Sequence, residues 1–206
     1  MPDTRQHIVL ATSNEGKIRE LAEPLAAFGV TVLGLKAFPQ LSNIEENGAT
    51  FEENALIKAR ATAAASGLLC VADDSGLEVD ALGGAPGIRS ARYGCDWPSL
   101  PGESRDARNM RKLLHVMAAE ENRTCRFVCC MAAVCPDGRE FVVRGLWPGR
   151  LLREPRGCNG FGYDPIFFLP SLGKSAAELT RAEKNSRSHR GQALRALLAQ
   201  WPTLAQ

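Results

Sequence analysis

Two short apolar runs, His7–Ala11 (HIVLA) and Val30–Leu35, flank a stretch in which Ile18, Leu21, Ala22, Leu25 and Phe28 recur at helical spacing. Strand, helix, strand in that order implies a parallel crossover, the building unit of α/β sheets. Gly29 is placed to stop the helix, and Pro24 inside the pattern is expected to kink it.

Further along, Ala37–Gly48 has little periodicity and reads as a loop, after which Thr50 and Glu53 match a capping box. The Ala-rich helix they open runs to about Ser66, with Gly67 beyond it. Leu68–Ala72 reads as a buried strand ending in Asp73, Asp74, Ser75 and Gly76, and Leu77–Leu82 as a second short strand. Arg105–Glu121 has helical spacing, and Cys125–Val134 and Glu140–Trp147 form a hairpin about Pro136-Asp137-Gly138. A last helix is expected near Gly191–Leu198. There is no repeat, low-complexity tract or linker. The expected fold is therefore α/β, with a central mixed sheet flanked by helices and two lobes around a cleft, all within one domain over residues 1–206.

The chain has 206 residues, of which 25 are basic and 23 acidic, for a net charge of +2. A protein that neutralises nucleic-acid phosphates usually carries a stronger basic bias, so DNA and RNA are not the expected partners. A small anionic ligand remains compatible, because a site can be locally basic on a balanced protein. The seven cysteines are odd in number. Cys125, Cys129, Cys130 and Cys135 fall in an apolar run without metal-site spacing, and read as buried reduced thiols. No apolar run approaches the ~18–20 residues of a membrane span, and the N-terminus lacks a signal-peptide pattern. A cytoplasmic protein without membrane partners is expected.

Four segments carry possible chemistry. Thr12, Ser13, Asn14, Glu15, Gly16 and Lys17 lie where the first strand meets the first helix. A helix N-terminus is partly positive, so Lys17 there is unfavourable unless an anion offsets it; the segment is either a phosphate site or an ordinary cap with a solvated lysine. Asp73 and Asp74 follow a buried strand, with Glu45 and Glu46 on a preceding loop. They are either ligands for Mg²⁺, which favours one or two carboxylates plus phosphate oxygens, or caps of a turn at Ser75-Gly76. Lys58, mid-helix, reads as solvated unless the site recruits it. Phe161, between Gly160 and Gly162, is either a stacking face for a base or a core aromatic at a bend. Lys184, Asn185, Ser188, His189 and Arg190 either start a capped helix or present donors to an acceptor such as a purine 6-oxo group.

Five segments together resemble one family, the inosine triphosphate pyrophosphatases, or non-canonical purine nucleoside triphosphate pyrophosphatases. They are VLATSNEGKIRELA (9–22), EENGATFEENALIKARA (45–61), ADDSGLEVDALGGAPGIRSARYG (72–94), GFGYDPIFF (160–168) and ELTRAEKNSRSHRGQAL (178–194). The resemblance implies a cytosolic homodimer with a nucleotide-binding cleft, using Mg²⁺ to hydrolyse ITP, dITP and XTP to the monophosphate and pyrophosphate. It implies that Thr12 through Lys17 hold the triphosphate and that Asp74 is general base and metal ligand. Glu45 or Glu46 would be the second ligand. Lys58 and Asp73 would line the reaction centre, Ser75 would contact substrate, Phe161, Gly162, Tyr163 and Asp164 would hold the base, and Lys184, His189 and Arg190 would read its polar edge. The chain departs from the family pattern at Arg89, where an aromatic is usual, and over residues 95–105.

Overall fold

A computed structural model of the chain describes residues 6–12, 15–26, 29–41 and 44–204. The first crossover forms as its pattern requires. Strand β1 (Gln6–Leu10) is followed by helix α1 (Glu15–Ala26) and strand β2 (Val30–Gly34), and β1 pairs parallel with β2 from Gln6↔Val30 to Leu10↔Gly34. Pro24 stands in the last turn of α1, so the intrahelical bond that its missing N–H forfeits is one of the helix's last.

Helix α2 (Phe51–Ser66) starts on Thr50 and ends at Gly67. The two short strands expected on either side of Asp73–Gly76 are instead one eleven-residue strand, β3 (Leu69–Val79), with Asp73 and Asp74 midway along it. The reason is tertiary. Leu69, Cys70, Val71 and Ala72 before the polar tract and Leu77 and Val79 after it are all buried, so the chain stays extended through the polar residues. β3 pairs parallel with β1, from Ile8↔Leu69 to Leu10↔Val71.

Helix α3 (Arg105–Val116) is capped by Ser104 and ends earlier than its periodicity suggests. Strands β4 (Thr124–Val134) and β5 (Glu140–Leu151) form the expected hairpin, β5 running four residues past Trp147. The Cys135 N–H donates to Arg139 O at the turn and the Leu151 N–H to Arg123 O at the far end, so the pair is antiparallel. Strands β6 (Phe167–Leu169) and β7 (Lys174–Ser175) add antiparallel at the edge. Among the described residues the sheet has seven strands in the order β2-β1-β3-β4-β5-β6-β7 and is mixed. Helices α4 (Arg181–Arg187), α5 (His189–Ala199) and α6 (Trp201–Leu204) close the chain.

The chain divides into two compact units. The first comprises residues 1–74, 129–144 and 193–206. Its core is built from Ile8, Leu10, Leu25, Val71, Met131, Leu197 and Trp201. The second comprises residues 75–128 and 145–192. Its core gathers Leu77, Leu113, Met117, Phe127, Trp147 and Phe167. Cys70, Cys125, Cys129, Cys130 and Cys135 are buried and outside any disulfide, and burial pushes the Cys70 and Cys125 thiols up to about 12. The reading of Cys125, Cys129, Cys130 and Cys135 as buried thiols therefore holds, while Cys95 and Cys158, also outside any disulfide, are exposed. Among the described residues no helix is long and apolar enough to cross a membrane.

Candidate active site

In the first unit the chemistry gathers around the start of α2. Thr50 Oγ1 accepts the Glu53 N–H at 3.1 Å, as a capping box requires. The return bond differs by one residue, because Glu53 Oε2 accepts the N–H of Ala49 at 2.6 Å. One residue further on, Asn54 Oδ1 accepts the Gly48 N–H at 2.9 Å. These bonds seat the preceding loop on the helix and bring Glu46 over Lys58. The Lys58 ammonium lies 3.0 Å from Glu46 Oε2 and 3.7 Å from Asp74 Oδ1. Asn54, four residues before Lys58 and so on the same helix face, donates from Nδ2 to Asp74 Oδ2 at 3.1 Å. Glu45 is exposed. Of the two loop glutamates, Glu46 joins the cluster.

Asp73 pairs with the other lysine. Lys17 Nζ stands 2.8 Å from Asp73 Oδ2. Neighbours on a strand point to opposite sides, and these two aspartates meet lysines of different helices. Lys17 and Lys58 are therefore both committed to carboxylates rather than solvated, and the aspartates cap no turn. Ser13 and Asn14 lie outside the described residues; Glu15 and Gly16 open α1, and Thr12 follows β1.

Burial pushes the Asp74 carboxyl above the ordinary aspartate value and Glu46 adds to the rise, while Lys58, Asn54 and Lys17 pull against it. For Lys58, burial lowers the pKa, but Asp74, Asp73 and Glu46 together outweigh it and hold the ammonium above its usual value. Among the described residues no three His, Cys, Asp or Glu side chains form a ready-made metal cluster. The donor set fits Mg²⁺ all the same. That ion takes one or two carboxylates and completes its shell with water and phosphate oxygens, and Asp74 and Glu46 supply two hard oxygen donors.

The second unit carries the loop of Phe161. Gly160 has φ +78°, and a Cβ there would collide with the Asp164 carboxylate, so only glycine allows this turn. Asp164 is buried; its Oδ2 accepts the Phe161 N–H at 2.9 Å and the ammonium of Lys184. Asp106 at the start of α3 accepts the Gly162 N–H at 2.9 Å. The buried Tyr163 donates its hydroxyl to Ser90 O at 2.9 Å. Tyr163 and Asp164 thus support the loop, while Phe161 is left 43% exposed. Lys184 Nζ lies 4.9 Å and the Arg190 guanidinium 5.7 Å from its ring centroid, within the range of cation–π attraction. Ser188 Oγ accepts the Gly191 N–H at 3.2 Å and caps α5, as its sequence position suggests. The buried His189 ring stacks on Phe127 with centroids 4.8 Å apart, and Arg190 donates to Ser75 Oγ at 3.4 Å.

Asn54 and Asp106 were not singled out by the sequence. An asparagine inside an Ala-rich helix disfavours that helix, and this mismatch was the available signal for Asn54. Asp106, in the first turn of a helix, looked like an ordinary dipole-complementing acid.

The profile of the Ham1 family matches residues 8–200, and the chain belongs to that family. It is 59% identical over 201 residues to the dITP/XTP pyrophosphatase of Nitratidesulfovibrio vulgaris Hildenborough, covering 97% of each chain. It is 50% identical to the dITP/XTP pyrophosphatase of Shigella flexneri, covering 94% of this chain and 96% of the relative. The solved structure of the Staphylococcus aureus Ham1 protein superposes with a TM-score of 0.85 at 38% identity, covering 96% of this chain and 99% of the other.

Proposed function

We propose that this chain hydrolyses non-canonical purine nucleoside triphosphates, ITP, dITP and XTP, to the monophosphate and pyrophosphate, removing them from the nucleotide pool. Membership of the Ham1 family and near-full-length identity to dITP/XTP pyrophosphatases support the reaction. One observation carries the site: Asp74, half-buried midway along β3, shares Lys58 with Glu46 and is held by Asn54. A pure phosphate binder has little use for clustered carboxylates, whereas a hydrolase needs them.

One set of residues takes the triphosphate and the metal, and another takes the base. Thr12 through Lys17 hold the phosphates. Asp74 and Glu46 would hold Mg²⁺, which when bound supplies positive charge to the phosphate oxygens and the departing pyrophosphate. Asp74 orients a water for in-line attack at the α-phosphorus, while Asp73, pointing to the other side of β3, holds Lys17 at the reaction centre. Lys17 and Lys58 add fixed positive charge. Ser75 contacts substrate. Phe161 stacks on the base, Gly162, Tyr163 and Asp164 shape its loop, and Lys184, His189 and Arg190 donate to the 6-oxo edge, an acceptor that adenine lacks. Residues 1–206 work as one catalytic domain, and the protein is a cytoplasmic homodimer.

The decisive experiment measures pyrophosphate release from ITP, dITP, XTP, GTP and ATP, with and without Mg²⁺. Preference for the first three with strict metal dependence is expected, and Asp74→Asn should abolish most turnover. Wild-type turnover by purified Asp74→Asn would remove Asp74 from its role. Light scattering of the purified protein tests the dimer.

A further inference from the structure

Asn54 has none of the roles above, yet it connects the residues that do. It is 1% exposed, and both ends of its amide are used. Oδ1 accepts the Gly48 N–H at 2.9 Å, and Nδ2 donates to Asp74 Oδ2 at 3.1 Å. The orientation is unambiguous, since a backbone N–H only donates and a carboxylate only accepts. Gly48 is seated so closely that a Cβ there would stand 2.7 Å from Glu53 Cβ and 2.8 Å from Asn54 Oδ1. Glu46 precedes Gly48 by two residues, and Lys58 follows Asn54 by one helical turn. A single buried amide therefore fixes the Asp74 carboxylate and, through Gly48, the loop that bears Glu46.

We infer that Asn54 is the positioning residue of the reaction centre, preorganising Asp74 and Glu46 as one set while touching neither substrate nor metal. The inference rests on the proposed roles of Asp74 and Glu46. Partners that orient metal-binding carboxylates matter nearly as much as the ligands, and losing one typically costs about 10–100-fold in metal affinity or activity.

Two substitutions separate the functions of the amide. Asn54→Asp keeps an acceptor for Gly48 but loses the donor to Asp74. Asn54→Leu is of similar size and loses both. The variants are assayed at about pH 9, so that the introduced carboxyl is ionised even though buried. Three readouts apply: kcat with ITP, Mn²⁺ binding with a non-hydrolysable α,β-methylene analogue of ITP, and hydrogen exchange at the Gly48 amide. Asn54→Asp should lose about 10–100-fold in kcat and in Mn²⁺ affinity, with Gly48 still protected. Asn54→Leu should lose at least as much, with Gly48 exchanging fast. In both, the ratio of ITP to ATP hydrolysis should stay that of the wild type. Wild-type kcat and Mn²⁺ affinity in folded Asn54→Asp overturn the inference, and that variant decides alone where Asn54→Leu does not fold. Asp74→Asn is run alongside. If it stays active, the reading of Asp74 fails; if it is inactive while Asn54→Asp is unimpaired, only the inference about Asn54 fails.

Discussion

Lys17 Nζ lies 2.8 Å from Asp73 Oδ2, and the aspartate side chain is 1% exposed. Each partner needs the other. A lysine in the first turn of a helix faces the positive end of the dipole, and a sealed carboxylate has lost its water. Lys17→Met should therefore lower stability by about 3 kcal/mol, the lower end of what breaking a buried pair costs. Equilibrium urea unfolding reads this. The same variant should raise the KM for ITP, because the proposed phosphate site includes this ammonium. Unchanged stability would put the pair in the class of surface ion pairs, which contribute little.

Asp74 is expected to trade stability for function. Burial holds its carboxyl above the ordinary 3.8, against the pull of Lys58 and Asn54. The folded state then binds more protons than the unfolded one between those two values, so stability falls as pH rises through that window. Asparagine mimics the neutral acid. Metal-free Asp74→Asn should accordingly resist urea better than the wild type at pH 7, and the gain should vanish as pH falls below 3.8. A variant less stable than the wild type at pH 7 would refute this sign.

Much of this arrangement is legible in the sequence, and the parts that are not share a physical cause. The parallel crossover, the cap at Thr50, the hairpin at Pro136-Asp137-Gly138 and the cap at Ser188 depend on neighbours close in the chain, and each forms. Asp73-Asp74-Ser75-Gly76 reads as a turn by composition, yet it is strand, because buried residues on both sides keep it extended. Glu45 and Glu46 are adjacent, and only the docking of their loop through Gly48 and Ala49 selects Glu46. The bond from Asn54 to Asp74 joins residues twenty apart in the chain. No local pattern encodes such a contact.

Asp106 offers a test of the proposed base-binding role of the Phe161 loop from outside it. Its carboxylate accepts the Gly162 N–H at 2.9 Å and tethers the residue next to Phe161. A hydrogen bond of this kind contributes about 0.5–1.5 kcal/mol, or roughly 2- to 12-fold. Asp106→Ala should raise the KM for ITP by that factor with kcat nearly unchanged. Asp106→Asn keeps an acceptor and should restore most of it. Loss in kcat alone, unrescued by asparagine, would show that the tether does not act on substrate binding.

Phe161 and Arg190 should separate two ways of holding a base. The Phe161 ring is 43% exposed, with Lys184 and Arg190 beside it. Stacking on an aromatic is worth about 1–3 kcal/mol per base and is indifferent to which base it is. Phe161→Ala should therefore weaken ITP and ATP alike, by about 5- to 150-fold in KM. Arg190 is a donor only. Inosine offers an acceptor at position 6 and adenine a donor, so Arg190→Met should penalise ITP more than ATP and shrink their ratio of kcat/KM. Arg190→Met also removes a cation near the Phe161 ring, so some loss common to both nucleotides is expected beneath the selective one. The comparison is made on the ratio, where that common part cancels. A ratio altered by Phe161→Ala and untouched by Arg190→Met would reverse the two assignments.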